Sequence, residues 1–292
     1  MEGTAQDSTA TFEALRGCLT GLAYRMLGSL AEAQDVVQDA YLRWHRIDHS
    51  QVNDARAFLS RIVARLCLDR LKSARVRREN YVGQWLPEPV LDQDALAAQS
   101  DSDCAQDLSM ALMLTLERLT PLERAAFLLH DVFDVDFDEV AGALGRSPAS
   151  CRQLAARGRA HVRASRPRFR PSQKECERLA AAFGAAAQSG DPRALAELLA
   201  DDVAYYSDAG GSAPAAIRPV VGRDKVIRLI GGLAKKGLSG LRNVRLAQIN
   251  GVPGFVLDRP DGQPATVAFD FRDSKITGIY LMLNPDKLRH IH

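Results

Sequence analysis

No two of the five cysteines share a Cys-x-x-Cys spacing. Cys18, Cys67, Cys104, Cys151 and Cys176 are an odd, scattered set, which argues against a disulfide framework and against a thiolate zinc site. No apolar run approaches the ~20 residues of a membrane-spanning helix, and the start of the chain lacks the basic-then-apolar layout of a secretory leader. Internal repeats and low-complexity tracts are also missing. These absences lead us to expect a cytoplasmic protein in a reducing compartment, with no metal, no cofactor and no membrane contact. After Pro171 the only histidines are His290 and His292, which disfavours a His/Asp catalytic pair in the last part of the chain.

What the chain does have is length and segregated charge. With 292 residues, 46% of them hydrophobic, it can build two or three domains. Its net charge of +2 arises from 38 basic and 36 acidic residues, but these are not mixed. Residues 56–79 carry eight Arg or Lys against Asp69 and Glu79, a net of +6. Between Glu79 and Glu117 there is no Lys or Arg, while Glu88, Asp92, Asp94, Asp101, Asp103 and Asp107 are added. Residues 146–170 then hold eight Arg and no acid.

Periodicity divides the chain further. Phe12, Leu15, Leu19, Leu22 and Met26 recur at helical spacing until Gly28. Ser29 and Glu32 form a capping-box signature for a second helix, with Val36, Val37, Ala40, Tyr41 and Trp44 on its apolar side. A third helix runs from about Ala55 into the first basic block. The Pro-containing "WLPEP" and the polar run after it read as a linker. Thr120, Pro121 and Glu123 signal another helix start. Asp136 then caps a short helix, Gly145 ends it, and Ser147-Pro148 begins the next, which is a helix-turn-helix plan. On that last helix Cys151, Leu154, Ala155, Gly158 and Val162 form an inward stripe. Ser150, Gln153 and Arg157 share another face, flanked by Arg152, Arg159 and Arg163. Gln can read adenine, Arg can read guanine, and further Arg can hold phosphates, so duplex DNA is the expected ligand of this helix. An Ala-rich helix at about 173–189 and the β-type runs "LRNVRLAQI", "GFVLD", "ATVAFDFR" and "KITGIYLML" form a separate α+β domain.

"GSLAEAQDVVQDAYLRWHR" at 28–46 resembles the second conserved region of bacterial extracytoplasmic-function (ECF) sigma factors, and "LTPLERAAFLLHDVFDVDFDEVAGALGRSPASCRQLAARGRAHVR" resembles their fourth. The resemblance implies that Asp35, Gln38, Asp39 and Arg43 contact the β′ clamp helices of core RNA polymerase, with the β flap as a further partner. It implies that residues 49–53 pocket an extruded base of the −10 element while Arg56, Arg61, Arg65, Arg70 and Lys72 follow the single strand. Ser150, Arg152, Gln153, Arg157 and Arg159 would hold the −35 duplex. The acidic linker would follow the path that ECF linkers take through polymerase channels.

The C-terminal part resembles the SnoaL-like, NTF2-like domain of one ECF subgroup, through "WLPEP" at 85–89, "YYSDAGG" at 205–211 and "NPDKL" at 284–288. In that subgroup the domain is thought to replace a separate anti-sigma protein. This marks Trp85, Leu86, Pro87, Glu88, Pro89, Asp208, Gly210, Gly211, Asn284, Pro285, Asp286 and Lys287 as interdomain regulatory residues. Ala209 stands where the motif usually has glycine, which calls into question any backbone geometry that needs glycine there. The expected fold is therefore multidomain: a sigma region 2 helical bundle at 8–80, an acidic linker at 81–106, a region 4 helix-turn-helix at 107–168, and a cone-shaped α+β domain at 173–292. The expected function is that of a non-enzymatic alternative sigma factor, monomeric when free, that binds core polymerase and promoter DNA. Two alternatives stay open: a ligand-responsive DNA-binding regulator that never meets polymerase, and a SnoaL-type enzyme in which Tyr205, Tyr206, Asp208, Asp270 and Tyr280 line a pocket, with a small ligand there in either case.

Overall fold

The computed structural model describes residues 2–49, 52–79, 81–91, 108–165, 171–237 and 241–291. The chain forms two compact units. The first takes in residues 1–79 and nearly all of 108–166, and is helical. The second takes in residues 80–92 together with 167–292, and is α+β, with 109–111 assigned to it as well.

In the helical unit, α1 (Glu2–Leu27) ends at Gly28, whose φ of +69 a side chain would resist. The Ser29 hydroxyl accepts from the Glu32 amide and starts α2 (Leu30–Trp44). Ala33, Val36, Val37, Ala40 and Trp44 are buried along one side of α2, as the spacing requires. Trp44 also donates its indole N–H to the Ser8 carbonyl at 2.9 Å. Helix α3 (Ala55–Glu79) packs on both α1 and α2.

The second group of helices comprises α4 (Met110–Glu117), α5 (Pro121–Phe127), α6 (Phe137–Leu144) and α7 (Pro148–Ser165). The Thr120/Glu123 capping box is complete, with Pro121 in the first turn. Beyond α5 the helix widens into a π turn at Leu128–Val132, which the sequence pattern does not announce. Asp136 occupies the N-cap of α6 in an extended conformation but makes no side-chain cap bond, so it acts there by backbone geometry alone. Gly145 closes α6 in the left-handed region, and the Ser147 hydroxyl accepts from the Ser150 amide to open α7. Helices α5 and α7 approach closely because residue 158 is glycine: a Cβ there would lie 2.8 Å from the Phe127 Cβ.

One sequence expectation needs correction. Cys67, Cys151 and Cys176 are buried free thiols, but Cys18 is disulfide-bonded, so the cysteines are not all single thiols. Cys104 lies outside the described residues.

In the second unit, α8 (Gln173–Ser189), α9 (Pro192–Leu198) and α10 (Arg223–Gly237) cover one face of a six-stranded sheet ordered β2-β1-β6-β5-β4-β3. The strands are β1 (Leu199–Asp208), β2 (Val220–Val221), β3 (Arg242–Ile249), β4 (Val252–Asp258), β5 (Pro264–Arg272) and β6 (Lys275–Met282). All neighbours are antiparallel except β1 and β6. Leu179, Phe183, Val226, Ile230, Phe269 and Ile279 are among the core residues between helices and sheet.

Candidate nucleic-acid interface

Helix α7 presents its predicted surfaces as the 3.6-residue period dictates. Cys151, Ala155, Gly158 and Val162 are buried and Leu154 is half-buried. Gln153 and Arg157 are exposed, and Ser150 is half-buried beside them. The absence of acids within 146–170 does not mean that its arginines are unpaired, because the fold supplies carboxylates from the preceding elements. Arg159 donates to Asp131 at 2.6 Å, and Arg157 lies 3.7 Å from Glu123 while its side chain stays two-thirds exposed. Arg152 stands over the Phe137 ring at 5.5 Å. At 100° per residue, Arg152 and Arg159 fall on the opposite shoulder of the helix from Arg157. The surface that Gln153 and Arg157 share is therefore left exposed, and Arg159 is tied to the helix bundle.

The first basic block is also partly spent internally. Arg70 donates to the Glu32 carbonyl at 2.9 Å and to Asp39 at 3.0 Å, and it lies 3.8 Å from Asp35. Two of the four residues expected to touch polymerase, Asp35 and Asp39, and one of those expected to follow DNA are thus partners of each other. Gln38 and Arg43 are exposed and Arg65 is exposed, whereas Arg56 is half-buried. Lys72 pairs with Asp69 at 2.8 Å. Arg61 lies 3.2 Å from Glu139 of α6 and 5.6 Å from the Phe58 ring centroid. His49 packs edge-on against Trp44 with ring centroids 4.4 Å apart, and Asn53 is exposed. Residues 50 and 51 lie outside the described residues, as do the linker acids Asp92, Asp94, Asp101 and Asp103.

In the α+β unit the three short motifs come together around one buried ion pair. Asp208 is wholly buried at the end of β1, and its Oδ2 accepts from Lys287 Nζ at 2.7 Å. The same oxygen accepts from the Leu86 amide at 2.8 Å, and Oδ1 accepts from the Tyr81 hydroxyl at 2.5 Å. Lys287 in turn donates to the Leu86 carbonyl at 2.6 Å, with its ammonium 4.2 Å from the Trp85 ring centroid and 5.0 Å from that of Tyr81. Asn284 donates to the Tyr81 hydroxyl at 2.7 Å. Further along, Val90 exchanges two bonds with Asn250 and the Pro89 carbonyl meets the His290 ring at 2.8 Å. Leu86, Pro87, Glu88 and Pro89 are all buried, whereas Asp286 is exposed and Pro285 half-buried.

The glycine question at this motif is answered at a neighbouring position. Ala209 is buried and is not among the left-handed residues, so glycine is not required there. Gly210 has φ +55, and a Cβ on it would lie 2.5 Å from Asn284 Nδ2. Gly211 has φ +82.

The pocket suggested by Tyr205, Tyr206, Asp208, Asp270 and Tyr280 is corrected by strand register. Successive side chains on a strand point to opposite faces, and Tyr205 joins the core under the helices. Tyr206 pairs with Tyr280 across β1 and β6 and stacks on it at 5.2 Å, on the face away from that core. Tyr280 donates its hydroxyl to Asp270, and Asp208 lies two residues along β1 from Tyr206, inside the ion-pair cluster. Tyr205 thus lies on the opposite face of the sheet from the other four, and the five residues cannot line one cavity together.

Two tyrosines give this unit a pH limit. Burial, reinforced by the bond to Asp208, pushes the Tyr81 hydroxyl well above the ordinary phenol range, and burial pushes Tyr205 up to about 12. Because the folded state holds both neutral, the stabilisation is full below the ordinary value of about 10 and is lost as pH rises through the folded values. The melting temperature of the α+β unit is expected to fall as pH rises above about 10. A spectrophotometric titration is expected to show Tyr81 and Tyr205 ionising late.

Family models identify the helical unit. Sigma-70 region 2 matches residues 11–77, and Sigma-70, region 4 matches residues 109–162. This defines a sigma-70-type transcription factor. The ECF RNA polymerase sigma factor SigJ of Mycobacterium tuberculosis is 43% identical over 290 residues, covering 94% of this chain and 91% of the relative. The probable ECF RNA polymerase sigma factor SigI of the same species is 32% identical over 289 residues, covering 96% of this chain and 94% of that one. The crystal structure of Mycobacterium tuberculosis SigJ matches with a TM-score of 0.78 at 39% identity, covering 96% of this chain and 98% of that one. The chain belongs to the ECF RNA polymerase sigma factors. It is an alternative sigma factor that directs transcription and carries an α+β C-terminal extension; sigma factor families bind core RNA polymerase and promoter DNA. Among the described residues, no helix is long and apolar enough to cross a membrane.

Proposed function

We propose that α7 reads the −35 duplex through Gln153 and Arg157 with Ser150 beside them, and that Arg152 is a phosphate contact on its shoulder. The observation that carries this reading is the exposure of Gln153 and Arg157 near the start of the second helix of a helix-turn-helix. The exposed part of α3 with residues 49–53 serves the −10 strand, chiefly through Arg65 and Lys72, while Gln38 and Arg43 on α2 face the β′ clamp helices with Asp35 and Asp39 partly engaged by Arg70. The α+β unit modulates initiation by holding residues 81–91, the start of the segment joining region 2 to region 4, in place of a separate anti-sigma protein. Its activity is regulatory and non-catalytic.

The test is run-off transcription with purified core polymerase on a promoter from upstream of the chain's own gene. Each bidentate base contact contributes about 1–3 kcal/mol of discrimination, so Gln153→Ala with Arg157→Ala is expected to reduce specific transcripts at least tenfold while core binding is unchanged. Undiminished transcription from the double variant would remove α7 from promoter reading.

A further inference from the structure

A third basic block lies in the α+β unit. From Ala209 to Leu257 there are eight Arg or Lys and a single acid, Asp224, a net of +7. The number of cations equals that of each block of the helical unit, spread over about twice the length, and the segment belongs to neither sigma region. Helix α10 organises it. Val226 and Ile230 are buried in the core, and Lys225, Arg228 and Lys235 lie exposed on the other side at i, i+3 and i+10. Arg218 is exposed in the preceding loop and Arg242 at the first position of β3.

Four exposed cations elsewhere are neutralised by an acid three residues away: Arg16 with Glu13, Lys72 with Asp69, Arg178 with Glu175 and Arg289 with Asp286, at 2.5–2.8 Å. Among the described residues, Lys225, Arg228 and Lys235 are joined to no carboxylate, and Arg223 alone of the α10 cations is paired, with Asp201 at 2.7 Å. The middle of the same face carries Gly231 and Gly232, where an added Cβ would meet nothing within 4 Å. Glycine weakens a helix relative to alanine, so two of them on an open face bring no packing advantage. They do leave the helix backbone accessible between its cations.

We propose that the exposed face of α10 is a further duplex-DNA contact, binding the phosphate backbone without reading sequence. Lys225 and Lys235 are about 15 Å apart along the axis, the length of about four phosphates of one strand, and the bare Gly231-Gly232 surface admits the backbone between them. Residues 166–170 join α7 to Pro171 in the sequence, so a duplex held by α7 has the α+β unit tethered to it. The proposal rests on the DNA-binding reading of α7 for which duplex is presented, but it has a signature of its own. Phosphate contacts weaken binding on all sequences alike and appear in the salt slope, whereas base contacts appear in discrimination.

The experiment uses the full chain and fluorescence anisotropy over a series of salt concentrations, on a duplex from its own promoter and on a scrambled duplex of equal length. The triple variant Lys225→Gln, Arg228→Gln, Lys235→Gln is expected to lower the slope of log affinity against log salt by about 3. It is expected to weaken both duplexes about equally, by tenfold or more at low salt, with an unchanged melting temperature. Arg178→Gln with Arg289→Gln, which removes two neutralised cations of the same unit, is expected to leave the slope alone. An unchanged slope in the triple variant, or a loss confined to core polymerase binding, overturns the proposal. The double variant Gln153→Ala, Arg157→Ala separates the two readings: if it fails to alter discrimination, the α7 assignment fails and the α10 slope still stands or falls by itself.

Discussion

Replacing Asp208 with alanine is expected to destabilise the α+β unit by about 3–5 kcal/mol, the cost of breaking a buried ion pair by removing one partner. The expectation follows from what the carboxylate serves. Asp208 is fully buried, and it accepts from Lys287, the Tyr81 hydroxyl, the Leu86 amide and the Gly210 amide. Without it, a lysine that is 7% exposed keeps its charge against two aromatic rings and one carbonyl. Lys287→Met should be comparably harmful, because it leaves the carboxylate without its cation. Combining Asp208→Leu with Lys287→Met should recover part of the loss, since the two desolvation penalties vanish together. Chemical denaturation measures the stability, and limited proteolysis within 81–91 reports whether the segment has come away. A loss under 1 kcal/mol for Asp208→Ala would mean that the apolar burial of Leu86–Pro89 holds the segment unaided.

The second large effect is expected at Arg124. Its guanidinium is 3% exposed and donates to the Met26 carbonyl at 2.6 Å and to Glu117 at 2.7 Å. Met26 lies in the last turn of α1, where carbonyls have no intrahelical partner and the helix dipole favours a cation. One side chain thereby joins the helix that ends at Gly28 to the pair α4–α5, that is, region 2 to region 4. Arg124→Met is expected to cost about 3 kcal/mol, through an unpaired carbonyl and a largely buried carboxylate. In a double-mutant cycle with Glu117→Gln the two changes should be non-additive by more than about 1 kcal/mol. Strict additivity would show that Arg124 acts through Met26 alone.

Much of this architecture is written in local chemistry. Thr120-Pro121-x-Glu123, Gly145 and Ser147-Pro148 specify their helix ends by bonds within four residues, and each is found as expected. The α8 helix likewise follows from Ser172 and Gly190 at its two ends. Helix α10 was not legible, because Gly231-Gly232 reads as a turn and the helix is held by Val226 and Ile230 in the core. Strand β1 was obscured because it starts directly after α9 and its third and fourth residues are exposed aspartates. At the site, exposure of Gln153 and Arg157 follows from helical period alone. The pairing of Arg159 with Asp131 spans 28 residues and that of Arg70 with Asp39 spans 31, so neither has a local signal. The "WLPEP", "YYSDAGG" and "NPDKL" motifs point to one another, but that Lys287 lies between two rings and a buried carboxylate is tertiary information.

Beside the Gln84 side chain, which donates to the Ala216 carbonyl, polar bonds to residues 84–91 fall on the backbone of that segment: the amides and carbonyls of Leu86 and Val90, the Pro89 carbonyl, and an antiparallel bridge from Leu91 to Ile249 at the end of edge strand β3. A surface that grips main chain in this way is a peptide-binding module, and here its ligand is part of the same polypeptide. Capture is therefore unimolecular, at an effective concentration set by the intervening residues 92–170, and does not depend on how much of the protein the cell contains. A soluble anti-sigma protein controls its target by stoichiometry; a ligand carried in cis sets the ratio of regulator to factor at one for every molecule made.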